Sequence, residues 1–178
     1  MSLDIIYADA VELAQRIRDR SLSPVEVVQS HLDRIQAVNP KLNAIVAFPD
    51  GVMKRAREAE DAIGRGENWG PMHGVPFTVK DCVDTQGVVT TRGSKLFENH
   101  VPVADATVVK RLKDAGGIFI AKTNMPEFAL WWETDNLVYG RTENPWKEGR
   151  TPGGSSGGEA AAVASGMSPL GIGSDVGG

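Results

Sequence analysis

Cysteine is almost missing from this 178-residue sequence: Cys82 stands alone. An internal disulfide is excluded, and so is a structural zinc site built on two or more thiolates. No run of 18 or more apolar residues occurs, so no transmembrane helix is expected. The start, Asp4-Ile5-Ile6-Tyr7-Ala8-Asp9, mixes acids with apolar residues and lacks the basic stretch of a secretory signal. A cytoplasmic location is the default expectation. Charge of one sign is also lacking, since 19 Lys and Arg face 23 Asp and Glu for a net −4. That balance gives no electrostatic reason to expect nucleic acid or a membrane surface as a partner. Histidine is scarce, at His31, His73 and His100, and no His/Asp/Glu spacing suggests a metal.

Glycine is plentiful, and nine of its 20 residues lie from Gly153 onward. Glycine so dense means either a flexible tail or a backbone shaped for close approach. Length and composition otherwise fit one globular domain that buries roughly 70% of the surface its unfolded chain exposes.

The first part, residues 1–70, is mostly helical in pattern. Val11, Leu13, Ala14 and Ile17 recur near helical spacing between Ala8 and Arg18. Ser23-Pro24-Val25-Glu26 reads as a helix start, with Ser23 as cap, Pro24 in the first turn and Glu26 reaching back. Val25, Val28, Leu32 and Ile35 form one apolar stripe, and Asn39-Pro40 is predicted to end that helix. A short strand over Ala44–Phe48 and a charged helix over Val52–Ile63 follow. Residues 71–178 alternate. Strands are predicted at Val75–Val79, Val88–Thr91, Ile118–Ala121 and Pro169–Ile172. Between them lie a helix capped by Asp105, facing inward through Val108, Val109, Leu112 and Ala115, a short helix opened by Pro126, and an alanine-rich helix over Glu159–Ser165. Asp135–Pro152 reads as irregular. This alternation predicts an α/β fold, a sheet covered by helices.

Three segments could bear chemistry. Gly153-Gly154-Ser155-Ser156-Gly157-Gly158 leads into small, close-packing residues rather than the polar neighbours of a linker, and the helix behind it presents free N–H groups. It fits the serine-hydrolase elbow G-x-S-x-G around Ser155 or Ser156, yet no strand precedes it and every histidine lies upstream. No Gly-Lys-Ser/Thr follows, so it is not a phosphate loop. In Gly74-Val75-Pro76-Phe77-Thr78-Val79-Lys80-Asp81-Cys82, alternation puts Phe77 and Val79 on one face and Thr78 and Lys80 on the other. The stretch alone favours a surface lysine; a dry site would instead lower its pKa and make it a general base. Cys82 reads as a small core residue and His73 as a turn-fixing one. Gly173-Ser174-Asp175-Val176-Gly177-Gly178 could aim backbone N–H groups at one point.

Taken together and in this order, those segments resemble the amidase signature family. Lys122-Thr123-Asn124-Met125-Pro126-Glu127 and Asn144-Pro145-Trp146 add to the likeness, which runs from about Ser23 to Gly178. The resemblance implies a mixed sheet covered by helices on both sides, of which 1–178 would be the N-terminal portion of a single domain. It implies a Ser–cis-Ser–Lys triad in which Lys80 is the lysine and Ser155 the serine after a cis peptide. Val176, Gly177 and Gly178 would form the oxyanion hole, and the nucleophilic serine would be the residue after Gly178. No cofactor is implied. Phe128, Ala129 and Leu130 are candidates for the acyl pocket. Family members cleave small aliphatic and aryl amides, lipid amides, or glutamine within a tRNA-amidating complex; Trp131-Trp132-Glu133-Thr134-Asp135-Asn136 points to a stand-alone amidase.

The expected function is hydrolysis of a small-molecule amide, best at mildly alkaline pH because Lys80 must be neutral. The 178 residues alone are expected to be inactive and to fold poorly, because the remainder of the domain would cover open strand edges and apolar faces. Two other readings stay open: a non-catalytic domain binding an amide or carboxylate, and an esterase with Ser155 as nucleophile.

Overall fold

A computed structural model describes residues 3–177 of the chain. Among these described residues, six α-helices surround one four-stranded sheet. In chain order the elements are α1 (Leu3–Ile6), α2 (Ala10–Arg18), α3 (Pro24–Leu42), β1 (Ile45–Ala47), α4 (Val52–Gly64), β2 (Pro76–Lys80), α5 (Thr107–Asp114), β3 (Ile118–Thr123), α6 (Gly157–Ala164) and β4 (Gly171–Ile172). The strands lie in the order β1-β3-β2-β4. β2 runs parallel to β3 and to β4, while β1 pairs antiparallel with β3, so the sheet is mixed.

Helices cover both faces. On one side Val28, Ile35 and Leu42 of α3, Ala56 and Ala59 of α4, and Ala161 and Ala162 of α6 pack against Ile118, Ile120 and Ala121 of β3. On the other side Val109 of α5 meets Phe77, Val79 and Phe119. β3 serves both layers by alternation, Ile118 on one side and Phe119 on the other, and its register against β2 then slips by one residue: Phe77 pairs with Phe119, but Thr78 pairs with Ala121. An extra residue on one strand reverses which face the following side chains take. A third apolar group, around Leu13, Ile17, Val27 and Val75, fixes the N-terminal helices to the sheet.

Several local expectations hold. Ser23 Oγ accepts from the N–H groups of Val25 and Glu26, and Pro24 opens α3. His73 ties its turn, accepting from Trp69 N–H at Nδ1 and meeting the Ala59 carbonyl at Nε2. Others need correction. Pro40 does not end α3; the helix runs to Leu42 and stops at Asn43, which takes the left-handed conformation. Asn39 instead reaches forward, its Oδ1 accepting from Ala44 and Ile45 N–H. Asp105 does not cap α5. Its carboxylate accepts from Gln86 N–H and binds Lys113, and Ala106 holds the cap position. Val108 faces outward. Residues 88–91 form no strand: Thr90 N–H reaches the His100 carbonyl without a ladder on either side. Pro126 caps only a single 3-10 turn, Glu127–Ala129.

His31 on α3 is fully buried, with Nδ1 3.2 Å from the Gly166 carbonyl and no partner for Nε2. Burial lowers its pKa to about 4, with the carbonyl contact opposing. The folded state therefore holds a neutral ring, while the unfolded chain titrates near 6.5. The stability this contributes is whole above pH ~6.5 and is lost as pH falls toward ~4, by up to about 3 kcal/mol. In urea melts near pH ~7.5 and pH ~4.5, His31→Leu should lose markedly less stability on acidification than the wild type. Equal losses in the two proteins would contradict the assignment.

Candidate functional site

The site forms where β2 ends against the turn before α6. Strand alternation directs Phe77 and Val79 into the α5 layer and Thr78 and Lys80 toward α6. Lys80 is not a surface residue: it has no exposed area. Its Nζ lies 2.6 Å from Ser155 Oγ, 2.9 Å from Ser174 Oγ and 3.3 Å from the Ser174 carbonyl. Ser156 Oγ in turn accepts from Ser174 N–H at 3.1 Å and donates to the Ser174 carbonyl at 3.0 Å. The serine turn before α6 and the segment after β4 are thus joined to each other and to one amine.

Close packing holds Ser155 there. The Gly154–Ser155 peptide is cis. A Cβ on Gly154 would stand 2.8 Å from the Trp132 carbonyl carbon, and one on Gly158 would strike the backbone of Asn124. These two glycines let the turn sit directly on the 124–134 segment. Side chains stabilise that irregular stretch in place of secondary structure. Asn124 Nδ2 donates to the Gly140 carbonyl and Thr142 Oγ1, and its Oδ1 accepts from Asn136 Nδ2. Thr134 Oγ1 donates to the Gly153 carbonyl at 2.8 Å.

Burial is the first cause of every strong electrostatic shift here. It lowers the pKa of Lys80, and the neighbouring Cys82, Asp175 and Glu159 oppose that effect. Glu159 on α6 is buried under the same face, held by the hydroxyls of Thr78 and of Thr123, the latter at 2.7 Å. Burial pushes its carboxyl up to about 7. Lys122 pairs in register with Val79 and so faces the opposite side, donating to the Val83 carbonyl and Thr85 Oγ1; burial lowers it to about 8. Asp81 accepts from Thr91 N–H and Oγ1, and burial raises its pKa.

The other expected residues divide. Ala129 and Leu130 line a cleft of about 750 Å³ together with Trp131, Trp132, Pro152, Ala160 and the backbone around Ser155 and Val176. Phe128 stays out of that lining and packs edge-on against Phe97 at 6.0 Å. Val176 and Gly177 stand at the cleft, and Gly177 N–H is engaged by Asp175 Oδ1 at 3.2 Å. Gly178 lies outside the described residues. Cys82 is half-buried at the site's edge rather than in the core, its Sγ 3.7 Å from Ser174 Oγ. Among the described residues, no group of three or more His, Cys, Asp or Glu could hold a metal ion, and no helix is long and apolar enough to cross a membrane.

Sequence reasoning missed Ser174 and Glu159 as parts of this cluster. A usable signal existed for Glu159, the one charged residue in the helix Gly157–Ala164. An acid flanked by alanines and glycines that pack closely has few ways to reach water.

The family model described as Amidase matches residues 26–178. A glutamyl-tRNA(Gln) amidotransferase subunit of Carboxydothermus hydrogenoformans is 46% identical over 177 residues, 99% of this chain and 36% of the relative. An acylamidase of Rhodococcus erythropolis is likewise 46% identical, over 95% of this chain and 36% of the relative. A solved fatty acid amide hydrolase superposes with a TM-score of 0.93 at 29% identity, over 99% of this chain and 32% of that one. The chain thus spans about a third of the length of the relatives it matches.

The fit at Gly158 is testable. Glycine to alanine within a helix ordinarily adds about 0.5–1 kcal/mol of stability. Here the new Cβ meets the Asn124 backbone, so Gly158→Ala should destabilise by about 1–3 kcal/mol in denaturant melts. A stabilised variant would mean that α6 does not sit this close to Asn124.

Proposed function

The chain belongs to the amidase family, and from that premise we propose that it supplies the proton relay and part of the acyl site of an enzyme that hydrolyses carboxylic amides through an acyl-serine intermediate. The observation that carries this reading is the 2.6 Å approach of a fully buried amine, Lys80 Nζ, to Ser155 Oγ. Residues 1–178 belong, in this reading, to a single amidase domain, with the helical 1–70 bracing the α/β part 71–178.

Burial favours the neutral form of Lys80, which then has a lone pair to offer Ser155 O–H. Ser155 passes that demand to the attacking hydroxyl, assigned by the family pattern to a serine directly after Gly178 and outside these residues. As the nucleophile adds to the amide carbonyl, its proton moves to Ser155 and the Ser155 proton to Lys80. The oxyanion is met by the N–H groups of Val176 to Gly178, displacing Asp175 Oδ1 from Gly177; donors of this kind contribute about 3–4 kcal/mol each. The relay then runs backward and protonates the leaving amine, and water cleaves the acyl-enzyme. Ala129, Leu130, Trp131 and Trp132 give the cleft an apolar wall beside Ser155, suited to an apolar portion of the substrate.

The esterase reading, with Ser155 as nucleophile, lacks a base of the usual kind. The three histidines are engaged elsewhere, His31 at Gly166, His73 between Trp69 and Ala59, and His100 against Phe97.

In the full-length enzyme, Lys80→Ala and Ser155→Ala should each lower kcat on an anilide substrate by about 10²–10⁴-fold. Wild-type kcat/KM should rise with pH through the Lys80 titration and level off above it. A fluorophosphonate probe should label a serine beyond Gly178, while the isolated 178 residues should show neither label nor turnover. Labelling of Ser155, or full activity in Lys80→Ala, would sink the relay.

A further inference from the structure

The Glu159 carboxyl has no part in the chemistry above, yet it occupies the junction of every element that builds the relay. One oxygen meets Thr78 Oγ1, two residues before Lys80 on the same face of β2. The other accepts from Thr123 Oγ1 on β3 at 2.7 Å, and Thr123 is the register partner of Lys80. On the third side β4 makes room: any side chain at Gly171 would collide with this carboxyl. The residue itself belongs to the first turn of α6, immediately after the Ser155-Ser156 turn. A single side chain therefore spans β2, β3 and the helix that positions Ser155.

We propose that Glu159 is a positioning residue for the Lys80–Ser155 relay, clamping β2 and β3 to the start of α6, with its carboxylate one of the negative groups that the Lys80 amine feels. The inference rests on the relay reading above. On its own side of the sheet Glu159 faces Lys80 from β2, while Lys122 of β3 acts on it from the opposite side; β4 contributes no ionisable group, being Gly171-Ile172. Lys80 faces Asp175 and Cys82 besides. An ionised Glu159 favours the ammonium form of Lys80, and its removal favours the free amine. Accepting hydroxyls from two threonines keeps the carboxylate form accessible in spite of burial.

The test compares the full-length protein with Glu159→Gln, which keeps the shape and loses the charge, and with Thr78→Val, which removes one hydroxyl from the carboxylate. The Lys80 amine is titrated directly by 15N NMR of lysine-labelled protein, the signal being assigned with Lys80→Arg. The acid limb of kcat/KM is followed in parallel. Glu159→Gln should lower the Lys80 midpoint by about 0.5–1 pH unit and move the acid limb to lower pH by the same amount, with the alkaline plateau within a few-fold of wild type. Thr78→Val should shift both in the same direction by less, and it decides the matter if Glu159→Gln does not fold. A Lys80 midpoint unchanged in the folded variants overturns the inference. A lowered midpoint in a protein without amidase activity keeps the inference and overturns the relay reading instead.

Discussion

Everything at this site depends on keeping one amine dry. Lys80 has no exposed surface, yet its Nζ is within hydrogen-bond reach of three oxygens, from Ser155 and Ser174. Removal from water penalises the ammonium form, and the hydroxyls of Ser155 and Ser174 hold the nitrogen in place. The strand supplies the burial, and two serine-bearing turns supply the oxygens. Both are needed to bring a buried amine against a serine hydroxyl. All five residues of β2 are buried, with helices packed on both faces of the sheet.

The local parts of the fold were legible in the sequence, and the parts set by distant partners were not. Alternation along Phe77-Thr78-Val79-Lys80 gave the correct faces, because a period of two needs no knowledge of what lies opposite. Ser23-Pro24 gave the correct start of α3 for the same reason. Asp105 failed as a cap because Gln86 and Lys113, neither adjacent in sequence, take its carboxylate. Pro40 failed as a stop because Asn39 binds forward to β1 and Asn43 absorbs the sharp turn three residues later. Thr90 and its neighbours have the composition of a strand, but their backbone reaches only a loop.

The site divides along the same line. Lys80 and Ser155 could be named because whole motifs resemble a family. Their separation of 2.6 Å could not, since it depends on Gly154 and Gly158 meeting the Trp132 and Asn124 backbones. Ser174 and Glu159 escaped for a further reason. Ser174 looks ordinary in its segment, and Glu159, though conspicuous as the lone charge of α6, acquires a partner only when β4 and α6 close over β2. Sequence spacing carries no trace of that closure.

The register slip between β2 and β3 also governs which lysine meets the serines. Lys80 and Lys122 sit on adjacent strands and face opposite sides. A chain that paired these strands one step out would turn Lys80 into the apolar α5 layer, alongside a second buried cation, and bring Val79 to the serines. Such a form would bury two cations in an apolar layer without the serine oxygens that meet Lys80 here. The slip thereby decides which of two neighbouring buried lysines lies beside Ser155 and Ser174.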